Sequence, residues 1–180
     1  MKDQNLAFID IETTGLNPDK HEIIEIGYVI ASQKWTGSKC ELTHLDEGVL
    51  KIKPERIHDA DPQALRVNGY DPSEWVFAYT LKEAMQIFAT KTKSCIFVAH
   101  NACFDYGFID KAFRDTMIRN EMHYHKLDTL SMSFAKLGFD NTIDRYSLKN
   151  LCDHYGIKNE NAHTALADTK ALYEVYQKMM

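Results

Sequence analysis

The longest apolar signal at the start of the chain is a strand-like run over 6–12, with Leu6 and Phe8 on one face and Ala7, Ile9 and Ile11 on the other. A strand that is apolar on both faces belongs in the middle of a sheet. The segment 23–31 is a second strongly apolar strand, and a third lies within 42–53. Asn17-Pro18-Asp19 marks a turn between the first two strands, and so short a connection favours antiparallel pairing. Pro54, Pro62, Gly69 and Asp71-Pro72 break the next stretch into short helices and turns. Thr80, with Glu83 three residues on, is an N-cap for a helix through Thr90. The pattern then alternates: a strand at 94–99, a helix at 102–119, a short strand at 126–128 and a helix to Leu137. Ser147 caps a helix through Tyr155 that Gly156 ends, and a last helix runs over 164–178. There is no internal repeat, low-complexity tract or linker. Three strands followed by alternating helices and strands predict one α/β domain over residues 1–180, built around a mixed sheet.

Composition changes this picture little. The chain has 180 residues, 44% hydrophobic and 26% charged, ordinary for a globular domain. No apolar run reaches the roughly 18 residues a membrane-spanning helix needs, and the start lacks the apolar core of a signal peptide. A cytoplasmic protein with no membrane association is therefore expected. The four cysteines form no CxxC pair and read as reduced small hydrophobes. A net charge of −5 argues against a broad basic face for gripping long duplexes. It does not exclude a nucleic-acid enzyme whose own site is acidic and neutralised locally by cations.

The acids carry the chemistry. Asp10 and Glu12 are two apart on a strand, so they share a face, roughly 7 Å apart along it. Asp105 heads an apolar helical stripe of Phe108, Ile109, Ala112 and Thr116. Asp168 heads another, of Leu172, Val175, Tyr176 and Met179. Acids that lead apolar stripes need partners, and four converging carboxylates are untenable without bound cations. His163, five residues before Asp168, is placed to take a proton from a water at such a site. An all-oxygen ligand set suits Mg²⁺ or Mn²⁺, and a pair of such ions would cleave phosphodiesters.

Three segments carry a family resemblance. Asp10-Ile11-Glu12-Thr13-Thr14-Gly15, His100-Asn101-Ala102-Cys103-Phe104-Asp105, and His163 with Asp168 resemble, in order and spacing, the three motifs of the DnaQ-like, DEDDh family of 3′-to-5′ exonucleases. Leu127-Asp128-Thr129-Leu130 is similar to a strand-to-helix step of that family. The resemblance implies an RNase H-like fold: a central five-stranded mixed sheet flanked by helices. It implies two divalent cations, with Asp10 bridging both, Glu12 and Asp168 completing one site, and Asp105 serving the other directly or through water. It makes His163 the general base. It puts the 3′-terminal nucleotide on Thr13, Thr14, Gly15 and Leu16, with Asn101 and Phe104 lining the groove. The expected partner is a single-stranded or frayed 3′ end, of DNA first; trimming of RNA, as in the RNase T and oligoribonuclease branches, is the alternative. A catalytically inert nucleic-acid-binding module is a more remote one. The segment 64–72 is similar to the RNase T branch. No tail tethering the chain to a polymerase is evident past the last helix, which favours a stand-alone enzyme and leaves a homodimer open. Arg114, Arg145 and Lys149 are candidate contacts to the nucleic acid.

Overall fold

The computed structural model describes residues 2, 4–37, 39–139, 143–159 and 164–180. Five strands form one sheet in the order β3-β2-β1-β4-β5: β1 (Leu6–Thr13), β2 (Ile23–Thr36), β3 (Lys39–Lys51), β4 (Ile96–Ala99) and β5 (Lys126–Asp128). β1–β2 and β2–β3 are antiparallel, whereas β1–β4 and β4–β5 are parallel. The helices are α1 (Pro62–Val67), α2 (Leu81–Lys91), α3 (Ala102–Thr116), α4 (Thr129–Leu137), α5 (Leu148–Tyr155) and α6 (Ala165–Met179). This is the mixed α/β sheet that the sequence pattern predicts.

β1 is buried on both faces because each face has its own core. Ala7, Ile9 and Ile11 pack with Ile26 and Tyr28 against Met85 and Phe88 of α2 and Phe108 and Ile109 of α3. Leu6 and Phe8 pack with Val29 and Val98 against Leu151 of α5 and Leu172, Val175 and Tyr176 of α6. Side chains alternate along a strand, so Asp10 and Glu12 continue the Leu6–Phe8 series on the α6 face. Phe8, opposite Val98, is the last β1 residue paired with β4. β1 therefore outruns its parallel neighbour, and its acid-bearing end projects beyond that pairing.

Four boundaries depart from expectation by more than a residue, one of them the start of β3 at Lys39, ahead of residue 42. β2 continues to Thr36, five residues past Ala31, and pairs with β3 as far as Lys39. This distal ribbon is polar, so hydrophobicity does not mark it; cross-strand backbone bonds and the Trp35 indole donating to Gln33 hold it. α3 stops at Thr116, not Arg119, because Met117 turns left-handed (φ 57°). β4 begins at Ile96 because Ser94 is also left-handed (φ 60°). The Thr80–Glu83 capping box at α2 forms as expected, and Gly156 closes α5 in a left-handed conformation. All four cysteines are free, with Cys95 and Cys152 buried. No helix among the described residues is long and apolar enough to cross a membrane.

Candidate active site

Asp10, Glu12 and Asp168 converge. One carboxylate oxygen from each lies within 4.8 Å of the others. Two come from the projecting end of β1 and the third from the first turn of α6, which packs on the same face. Asn159 donates to Asp168 Oδ1 at 2.5 Å, fixing that carboxylate from the segment before α6. Asp105 arrives from the other direction, in the first turn of α3, and is 4% exposed. Against the rise caused by burial, its own amide and the backbone of Ile11 in β1 draw its pKa down, and it stands close enough to Asp10 to repel it. Asp105 is not one of the three acids whose oxygens group within 4.8 Å.

The electrostatics express this crowding. Burial raises the Asp10 carboxyl well above its ordinary value, and Asp105, Asp168, Glu12 and Glu25 raise it further. Glu12 is pushed up to about 8, by burial and then by Asp168, Glu25 and Asp105. Asp105 is pushed up to about 7 by burial, against the lowering influence of its own amide and of the Ile11 backbone. Such a set is relieved by protons or by cations, and a hard divalent ion suits oxygen donors. The residues therefore fit the cations that sequence reasoning expects.

The turn after β1 spends its polar side chains on itself. The Thr13 hydroxyl donates to Gly15 O at 2.7 Å. Thr14 is 1% exposed; its N–H donates to Glu22 O, and its hydroxyl accepts from the Glu22 N–H. Asn68 Nδ2 donates to Thr13 O, tying the loop after α1 to the turn. What projects is Leu16, 78% exposed. Of the proposed substrate contacts, Thr13 and Thr14 thus hold the turn, buried Gly15 lies beneath the His21 ring, and Leu16 is presented to solvent.

Asn101 and Phe104 lie at the start of α3, the helix whose first turn carries Asp105. Asn101 adopts a left-handed conformation (φ 63°) and is exposed, and Phe104 leans on Phe108 with ring centroids 5.2 Å apart. Asp128 sets this corner: its Oδ1 accepts from the Asn101 N–H at 2.9 Å and the Ala102 N–H at 3.2 Å while it caps α4. His100 turns to Thr129 at 3.1 Å, and burial pushes its pKa down, which keeps it neutral. His163 lies outside the described residues. Of the three cations suggested for nucleic acid, Arg114 pairs with Asp110 and Lys149 with Asp153, while Arg145 is exposed. A cavity of about 510 Å³ opens beside the turn, edged by His21, Lys53, Arg56, Lys82 and Lys111, but none of the four acids lines it.

Sequence reasoning missed several supports of this site. Asn68 and Asn159 sit in loops with no periodic signal. Glu25 lies within a strand so apolar that one acid reads as noise; it is 7% exposed and directly opposite Glu12.

A mixed five-stranded sheet in this order, with carboxylates gathered at one end of its central strand, is an RNase H-like fold. A family model described as Exonuclease matches residues 7–176, and the chain belongs to that family, the DnaQ-like 3′-to-5′ exonucleases. It is 33% identical over 183 residues to Ribonuclease T of Shewanella denitrificans, covering 93% of this chain and 76% of that one. It is 32% identical over 179 residues to DNA polymerase III subunit epsilon of Haemophilus influenzae, covering 95% and 65%. The fold matches E. coli exonuclease I, crystallised with a dT13 oligonucleotide, at a TM-score of 0.78 and 18% identity. That match takes in 97% of this chain and 40% of exonuclease I, so the chain spans well under half of that protein and just under two thirds of the epsilon subunit.

Proposed function

We propose that residues 1–180 form one catalytic domain that removes 5′-mononucleotides from single-stranded or frayed 3′ ends. The observation that carries this reading is the approach of Asp10, Glu12 and Asp168 to within 4.8 Å, with Asp105 buried beside them. Asp10 would hold two divalent cations, Mg²⁺ or Mn²⁺; Glu12 and Asp168 would complete one site and Asp105 the other. Bound there, the ions would polarise the scissile phosphate and acidify the attacking water. His163, on its place in the sequence just ahead of α6, is the proposed general base. The exposed Leu16 would lie against the terminal nucleotide, and Asn101 and Phe104 would flank the strand. A terminus is favoured over a continuous duplex because the site is acidic and two of the cations suggested to grip a backbone are already paired.

DNA is the first reading of the substrate, supported by the likeness to the epsilon subunit and by a fold shared with an exonuclease bound to dT13. The likeness to Ribonuclease T supports a second, trimming of RNA 3′ ends. A time course on matched 5′-labelled DNA and RNA single strands, with Mg²⁺ and with Mn²⁺, separates them: the preferred sugar gives a ladder shortening from the 3′ end. Cutting of closed circular single-stranded DNA as fast as linear DNA would make the enzyme an endonuclease and sink the reading.

A further inference from the structure

The Asp168 carboxylate reaches Asp10 only if α6 sits very close to the sheet, and two β2 residues set that distance. Gly27 lies opposite Asp10 in the β1–β2 ladder, and Glu25 lies opposite Glu12. Both share the α6 face. A Cβ on Gly27 would stand 2.2 Å from Ala165 O, 2.4 Å from Ala165 C and 2.6 Å from Thr169 Oγ1. None of these atoms can yield cheaply: the first two are backbone, and the third donates to Ala165 O at 2.6 Å. Ala165 and Thr169 are fully buried, and they bracket Asp168 in the first turn of the helix. Burial raises the pKa of the Glu25 carboxylate, and the Ala165 backbone amide that faces it draws that pKa down. The helix is therefore met at one residue from two sides, its amide facing Glu25 and its carbonyl against the bare backbone of Gly27.

We infer that Glu25 and Gly27 are positioning residues for the proposed metal site: they dock the first turn of α6 on β2 and so set the separation of Asp168 from Asp10 and Glu12. Neither residue binds the ion or the nucleic acid. Glu25 acts through the length and acceptor atom of its side chain. Its charge works against the site, since it adds to the repulsion on Asp10 and Glu12, and is offset by the Ala165 amide at the helix start and by Lys51. This inference rests on the metal-site reading above.

Two conservative variants separate reach from charge. Glu25→Asp keeps the charge and shortens the arm; Glu25→Gln keeps the arm and its acceptor oxygen and removes the charge. Mn²⁺ binding is measured by titration calorimetry on the whole chain, alongside melting temperature and steady-state kinetics on a labelled oligonucleotide. Glu25→Asp is expected to weaken Mn²⁺ binding on the order of tenfold or more, the usual cost of losing an outer support of a metal ligand. Its kcat should fall while KM stays level, because the residue does not touch the strand. Glu25→Gln is expected to retain most of the native affinity. Gly27→Ala, checked for fold by circular dichroism, should lose Mn²⁺ affinity in the same way. The inference is overturned if Glu25→Asp binds Mn²⁺ as the native protein does, or if Glu25→Gln is the more damaged of the pair. Asp10→Asn is the control for the underlying reading. Unchanged Mn²⁺ binding there rejects the metal site itself, whereas loss there with an unaffected Glu25→Asp rejects only the docking role.

Discussion

At the scale of single residues, the site is a balance between repulsion and what relieves it. Asp10→Ala is expected to abolish Mg²⁺-dependent cleavage, with Glu12→Ala and Asp168→Ala close behind, while circular dichroism shows the fold retained. Melting of the metal-free protein should rise in Asp10→Asn, because a buried carboxyl pressed by Asp105, Asp168, Glu12 and Glu25 is replaced by a neutral amide. Native cleavage by Asp10→Ala would remove the assignment. His163→Ala should leave Mn²⁺ binding close to native and slow cleavage on the order of 10²–10⁴-fold, the range for loss of a general base. If it loses the metal instead, the imidazole is a ligand. The acids were legible in sequence for a physical reason: Asp105 and Asp168 each head an apolar stripe, a placement with an energetic cost that demands a partner. Asp128 was legible only as a strand-to-helix step. Its reach to the Asn101 and Ala102 amides is a contact between segments 26 residues apart, which periodicity does not encode.

At the scale of elements, that contact makes a prediction. Asp128 takes the first amides of α4 and also the amides where β4 turns into α3, so one carboxylate joins the ends of two neighbouring helices. Asp128→Ala should cost about 0.5–2 kcal/mol, as for loss of a helix cap. It should also speed hydrogen exchange at 101–105, moving Asn101 and Asp105 together. Unchanged exchange there, with the same loss of stability, would confine Asp128 to α4. The helices with chemical start and stop signals were placed well from sequence: the capping box of α2, Ser147 and Gly156 around α5. The elements misjudged are those whose limits depend on tertiary partners. The β2–β3 ribbon is long because two polar strands satisfy each other's backbone, and α3 is short because a left-handed residue with no sequence signature, Met117, ends it.

At the scale of the whole molecule, the acids tie stability to pH with an unusual sign. Carboxyl groups raised in the folded state from 4.5 to about 8 (Glu12) and from 3.8 to about 7 (Asp105) bind more protons folded than unfolded between those values. Stability of the metal-free protein must then fall as pH rises through that window. Melting scans in chelator should decline from pH 5 to pH 8; saturating Mn²⁺ should offset the decline, and Asp10→Asn, which removes one raised carboxyl, should make it shallower. A melting temperature that rises over this range in chelator would contradict the crowded site. Exposed pairs on β3 act oppositely and only at low pH: Asp46 bonds Lys91 of α2 at 2.7 Å, and the next residue, Glu47, bonds Lys170 of α6 at 2.6 Å, each holding its acid below the ordinary range. These pairs have a second consequence. β3 ends the sheet, and its outer backbone is a template on which another copy could add strand after strand. Charges fastened to helices on both faces, beside a register break between Ile30 and Ala31, leave that border costly to extend. Removing them, as in Asp46→Val with Glu47→Val, should leave the nuclease intact and make concentrated solutions scatter light, the first step toward fibrils that the native border resists.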